Sequence, residues 1–241
     1  CCFPAYLEPE KELAPSINIE DFWYPVIDQE KAVTNSLSLG TRNGKSKNII
    51  ITGPNAGGKS TTIKALVCNL ILAQSLGIAP SQELTFTPFE RIVSYLNITD
   101  DIAAGNSHFK AGVMRARELI ETTKLEPNQF SFTTIDEVFN GTTFKEGQAA
   151  AYSLIKALGL NEANICTTCT HFPIISTLEK ETGVFDNYKV SIFEDSTGKI
   201  NYPYKLESGI SDQIITFKIL KEEGFGDEFL SEAQRVLLLT S

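Results

Sequence analysis

The sequence predicts an α/β fold, a mostly parallel sheet flanked by helices, with a C-terminal helix-turn-helix appendage. Three observations carry this prediction. A β-branched, unbroken run at residues 48–52 (NIIIT) passes through a glycine-rich loop into a helix-length apolar segment at 59–77. Two further strand-like runs, residues 130–137 (FSFTTIDE) and 164–170 (NICTTCT), are interleaved with helical segments at 108–124 and 146–158. Past residue 210 the pattern becomes two amphipathic runs, 211–223 and 227–238, parted by Gly224, Phe225 and Gly226, a helix-turn-helix in the geometric sense only.

The first element names the ligand. Residues 51–61 read ITGPNAGGKST, the G-x-x-x-x-G-K-[ST] pattern placed between a strand and a helix. Gly53, Gly57 and Gly58 allow backbone N–H groups to approach phosphate oxygens, Pro54, Asn55, Ala56 and Thr61 complete the cradle, and the helix N-terminus adds partial positive charge. Lys59 is expected on the β- and γ-phosphates, and the Ser60 hydroxyl on Mg²⁺. The expected fold is therefore a P-loop NTPase, and the expected ligands are ATP and Mg²⁺.

Hydrolysis needs more than a cradle. The run at 130–137 closes on two adjacent carboxylates, as a Walker B strand does. Asp136 is placed to hold Mg²⁺ through water, and Glu137 to polarise the attacking water as general base. Taken alone, the pair also fits an acidic strand end in solvent.

Bulk properties set the bounds. With 241 residues and 42% hydrophobic content the chain can bury one sizeable core. Its net charge of −9, with lysines scattered along the sequence, describes a surface that repels nucleic acid. The longest apolar stretch is broken by Asn69, Gln74 and Ser75, and no leader pattern opens the chain, so no membrane partner is expected. The opening CCFPAYLEPEKELAPS lacks Met and reads as a piece cut from a larger protein. Five cysteines (Cys1, Cys2, Cys68, Cys166, Cys169) form no even framework, which suits a reducing, cytoplasmic setting, nucleoid-associated in a bacterium. Cys166 and Cys169 have metal or redox spacing, but without a second pair they read as small buried side chains of a strand.

Along the chain, residues 1–21 read as a linker, 22–205 as the nucleotide-binding domain and 206–241 as a helical dimerisation appendage. Within the domain, 22–39 supply peripheral strands, 40–47 a polar turn, 91–96 a strand and 97–106 a polar loop. Residues 188–193 and 200–204 flank 196–199 as a hairpin.

Three further segments, 100–110 (DDIAAGNSHFK), 136–147 (DEVFNGTTFKEG) and Thr170-His171, follow in fixed order. With them, the chain resembles the C-terminal ATPase domain of MutS-type DNA mismatch repair proteins, as a divergent member, from about residue 22 to 238. The resemblance implies that two ATPase domains dimerise, with Ser107 directed toward the partner's γ-phosphate. By its own chemistry a serine at a helix start is equally an N-cap. The resemblance also makes His171 the sensor of the γ-phosphate and attacking water, although a lone His at a strand end is also an ordinary turn residue. His108, where the family carries Thr, receives no role.

Two departures stand out. Phe139-Asn140 replaces a Gly-Arg pair, removing an Arg contact across the dimer. Ala32 replaces the adenine-stacking aromatic before Val33, which leaves stacking weaker or supplied by Phe22, Trp23 or Tyr24. The implied partners are a second MutS-like subunit, identical or paralogous, DNA through domains absent from this chain, and a MutL-type protein.

Three functions compete. The first is Mg²⁺-dependent ATP hydrolysis that drives dimer and DNA-clamp changes. The second is a nucleotide-gated assembly module with little turnover and no mismatch recognition, motivated by Asn140. The third, an ABC or chromosome-maintenance ATPase, requires a Leu-Ser-Gly-Gly type signature that residues 101–109 lack.

Overall fold

The computed structural model describes residues 1–28, 30–40, 48–96, 108–195, 200–211 and 216–240. Two compact units divide the chain, Cys1–Ser211 and Asp212–Ser241. In chain order the first holds β1 (Ala5–Tyr6), β2 (Ser16–Phe22), β3 (Asn35–Gly40), β4 (Asn48–Thr52), α1 (Lys59–Leu76), β5 (Glu83–Phe86), β6 (Arg91–Tyr95), α2 (His108–Thr122) and β7 (Ser131–Asp136). There follow α3 (Phe144–Leu160), β8 (Asn164–Cys169), α4 (Leu178–Thr182), β9 (Phe185–Val190), the short β10 (Phe193–Glu194) and β11 (Ile200–Asn201), and β12 (Leu206–Ser208).

The main sheet runs in the order β12-β9-β4-β8-β7-β6. Its inner strands are parallel, and only β12 is antiparallel to its neighbour β9. This is the mixed α/β architecture with a mostly parallel sheet that the periodicity predicts. Both faces are covered, which is why NIIIT is apolar throughout. Ile49 and Ile51 enter one core with Ile63, Leu66 and Leu70 of α1, whereas Ile50 enters the other with Leu119 of α2 and Leu154 and Ile155 of α3. Asn48, fully buried, ties the start of β4 to its surroundings: its amide donates to the Gly159 and Val184 carbonyls, and its oxygen accepts the Cys166 N–H. Helix α1 ends at Gly77, whose φ of 69° closes the last turn with an N–H bond to the Ala73 carbonyl.

A second sheet, in the order β1-β5-β2-β3, contributes to the α1-side core through Ile17, Ile19, Phe22, Leu37, Leu84 and Phe86. It corrects the reading of 1–21 as a linker. Ser16–Phe22 alternates its buried Ile17 and Ile19 with Asn18 and Glu20, and pairs antiparallel with both β3 and β5. Strand β5 itself went unpredicted, its four residues being bounded by polar neighbours. The hairpin reading also changes. Residues 188–190 belong to β9 within the main sheet, and among the described residues the antiparallel pair is limited to the two-residue β10 and β11. Residues 206–208 are likewise an edge strand of that sheet rather than part of a helical appendage.

The second unit consists of α5 (Thr216–Glu222) and α6 (Asp227–Thr240). Between them the Phe225 N–H reaches the Leu220 carbonyl, and the Phe225 and Phe229 rings sit 4.9 Å apart. No helix among the described residues is long and apolar enough to cross a membrane.

Candidate functional site

The loop between β4 and α1 is shaped by residues that tolerate left-handed backbone. Gly53 has φ of 139° and lies against Val190, where a Cβ would come within 2.6 Å. Gly58 has φ of 92°, and a Cβ there would stand 3.0 Å from the Tyr204 ring. Lys59, the first residue of α1, is buried and folds back over the loop. Its Nζ donates to the Gly53 carbonyl at 2.9 Å, the Pro54 carbonyl at 3.1 Å and Asn55 Oδ1 at 3.4 Å. All three ammonium donors are thereby engaged.

Parallel pairing brings the acidic strand to the same edge. Strand β8 lies between β4 and β7, so the ends of all three converge where open α/β sheets place their ligands. Asp136 stands in register with Cys169, and its Oδ1 is buried without a hydrogen-bond partner among the described residues. Glu137 takes φ of 54° as the chain leaves the strand, and its N–H donates to the Cys169 carbonyl at 3.0 Å. One carboxylate oxygen lies 3.5 Å from His171 Nδ1, and the other accepts the Asn140 side-chain N–H at 3.0 Å. The hydrogen bond with His171 holds the Glu137 carboxyl below the usual range. Burial opposes it, and the charges of His171 and Lys59 and the Asn140 amide reinforce it. The turn bearing His171 is fixed by Thr170 Oγ1, which accepts the Phe172 N–H.

One cavity of about 470 Å³ joins these parts. Its floor is Pro54, Asn55, Ala56, Gly58, Lys59, Ser60, Thr61 and Thr62, with Glu137 at one side. Trp23, Tyr24, Ile27, Lys31, Ala32 and Val33 also line it, as does Tyr204, whose ring lies against Gly58. Phe22 also borders the cavity but belongs to the core, with only 1% of its surface exposed, whereas Trp23 and Tyr24 are half-buried there. Tyr204 is the wall that sequence reasoning missed. It is brought in by Asn35, whose amide donates to the Tyr204 carbonyl and whose oxygen accepts the Leu206 N–H. Lys205 adds a bond to the Thr34 carbonyl. The available signal was the Tyr202-Pro203-Tyr204 triplet, whose rings stack at 5.9 Å.

Chemically, the site offers a buried cation and helix N-terminus for phosphate, a hydroxyl and an unpartnered carboxylate oxygen for a hard cation, and an ionised carboxylate for a proton. Gly53 and Gly57 shape the loop without lining the cavity, Asp136 and His171 flank it through Glu137, and Ser107 lies outside the described residues. Cys166 and Cys169 are buried in opposite cores, so they do not converge on a common ligand.

The sequence profile of MutS domain V matches residues 49–240. The chain belongs to the MutS family. Among its MutS-family relatives, Endonuclease MutS2 of Pediococcus pentosaceus is 30% identical over 228 residues, 94% of this chain and 28% of that protein. DNA mismatch repair protein MutS of Clostridium kluyveri is 26% identical over 238 residues, and that of Listeria monocytogenes 25% over 233 residues. Each match covers 96% of this chain and 26% of the relative. The chain thus spans about a quarter of the length of the MutS-family relatives it matches.

Proposed function

We propose that this chain is a P-loop ATPase domain that binds ATP with Mg²⁺ and hydrolyses it, as the engine of a MutS-type DNA mismatch repair protein. The observation that carries the reading is a cavity lined jointly by the glycine-rich loop, Glu137 and the aromatic side chains Trp23, Tyr24 and Tyr204. The loop and Lys59 suit a triphosphate, and the aromatic side chains suit a base.

In this reading the backbone N–H groups of residues 53–61 and the α1 N-terminus bind phosphate oxygens, and Lys59 moves from its loop carbonyls onto the β- and γ-phosphates. Tyr24 and Tyr204 flank the base and replace the aromatic that Ala32 lacks. Ser60 and Asp136 would hold Mg²⁺, which supplies charge neutralisation of the phosphates when bound; the unpartnered Asp136 oxygen supports that fit. Glu137 accepts a proton from the water that attacks the γ-phosphorus, the bond to the bridging oxygen breaks, and ADP and phosphate leave. His171 keeps Glu137 oriented and ionised.

Ser107 would complete the site of a second MutS-like subunit, identical or paralogous, and the helix-turn-helix unit of α5 and α6 would serve dimerisation. DNA contact would lie in domains outside this chain, with a MutL-type protein as a further partner and the cytoplasm as the site of action. ATP binding and hydrolysis by the wild type, with retention of ATP and loss of turnover in Glu137→Gln, is the expected result. Hydrolysis by that variant at the wild-type rate removes Glu137 from the mechanism.

Asn140 favours a second reading, in which ATP occupancy switches assembly and turnover is incidental. Single-turnover kinetics against dimerisation separates the two: complete ATP-dependent dimers with negligible hydrolysis in the presence of DNA select the switch.

A further inference from the structure

The turn that follows β7 is built at a conformational cost. Glu137 and Phe139 both take left-handed backbone, with φ of 54° and 62°, although neither is glycine. Such strain persists only where surrounding contacts enforce it. Here the contacts are evident. Val138 and Phe139 are buried in the core that α2 and α3 cover, and the Phe139 backbone N–H donates to the Tyr95 hydroxyl. The next residue, Asn140, emerges beside Glu137 on an anchored turn, and its amide meets the carboxylate oxygen that His171 leaves open.

The Glu137 carboxylate is therefore gripped from two directions. His171, from the turn after β8, takes one oxygen, and Asn140, from its own turn, takes the other. Rotation about the terminal torsion, the softest in a Glu side chain, would break both contacts at once. The charge of Lys59 in α1 also acts on the carboxylate, whereas Asn140 is a neutral partner. A neutral amide orients the carboxylate without pairing off the charge that a base must keep.

We propose that Asn140 is a positioning residue for proton abstraction, holding the Glu137 carboxylate at the edge of the nucleotide cavity. The proposal rests on the ATPase reading, with Glu137 as base. It assigns to the strained turn a purpose: setting the base rather than merely closing the loop.

The test uses the 241-residue chain and two independent readouts: the side-chain amide resonances of Asn140, followed by ¹H–¹⁵N NMR without nucleotide, and steady-state ATP hydrolysis. In the wild type one Asn140 Nδ2 proton is shifted downfield by its hydrogen bond, and Glu137→Ala removes that shift. In Asn140→Ala kcat falls about tenfold, the scale of one hydrogen bond to a charged group, and KM for ATP stays within about twofold. Asn140→Gln, which keeps the amide, recovers part of the rate. An Asn140→Ala chain with wild-type kcat, or Asn140 amide resonances unmoved by Glu137→Ala, overturns the proposal. A wild-type chain that hydrolyses no ATP while the Asn140 resonances still respond to Glu137→Ala overturns the ATPase reading, and with it the catalytic purpose but not the contact.

Discussion

The Tyr204 ring lies so close over Gly58 that a Cβ on the glycine would stand 3.0 Å from it. The two residues are far apart in the chain, one from the turn into α1 and one from the segment before β12. Gly58→Ala would meet the ring and also place an L side chain at φ of 92°, costing about 1 kcal/mol in backbone strain alone. The expected outcome is an affinity for ATP about fivefold to tenfold weaker, read by titration with a fluorescent ATP analogue. Unchanged affinity would show that the loop does not depend on this contact.

A pH dependence follows from Glu137. Its carboxyl lies below the usual range in the folded protein, chiefly through the hydrogen bond with His171. Such a group adds stability above its unfolded value, and that stability disappears as pH falls through the folded one. His171→Ala should therefore move the acid limb of ATP hydrolysis upward and reduce the loss of unfolding free energy on acidification. Urea titrations at neutral and acidic pH check the second effect, and pH–rate profiles the first.

Phe139 sets backbone strain against packing. Replacement by glycine relieves φ of 62° but empties a buried aromatic position between α2 and α3. Removing a core Phe costs about 3–5 kcal/mol and the relief returns about 1, so Phe139→Gly should lose about 2–4 kcal/mol in urea unfolding. A more stable variant would mean that strain outweighs packing in this turn.

The cysteines should separate cleanly by reactivity. Burial pushes the Cys169 thiol well above its ordinary range, with Asp136 adding to the rise, and Cys166 is equally buried, whereas Cys1 is exposed. Brief iodoacetamide treatment of the native chain should label Cys1 and spare Cys166 and Cys169, with all three labelled after denaturation. Mass spectrometry of the digests decides. Rapid native labelling of either strand cysteine would contradict its place in the core.

How legible was this molecule in its sequence? The stretch NIIIT announced a strand covered on both faces, because apolar residues at every position leave no side for water. The glycines at 53, 57 and 58 marked the turn into α1 for an equally local reason. Strand β2 stayed hidden because the prolines and glutamates that precede it at 4–15 resemble a linker, while Ile17 and Ile19 carry the alternation over too few residues to stand out. Tyr204 was illegible for another reason: its position depends on Asn35, 169 residues away, and such a clasp leaves no local pattern. The grip on Glu137 falls between these cases, since Asn140 is three residues distant and recognisable as unusual, but the bond needs the left-handed turn to form.

Lys59 leaves one consequence for how the cradle receives a guest. Its ammonium group is held by the Gly53 and Pro54 carbonyls and Asn55 Oδ1, which solvate its charge without cancelling it. Under the ATPase proposal a phosphate oxygen would have to replace these oxygens one for one. A triphosphate, which would also reach the loop amides and the helix end, would make that exchange more readily than a lone phosphate.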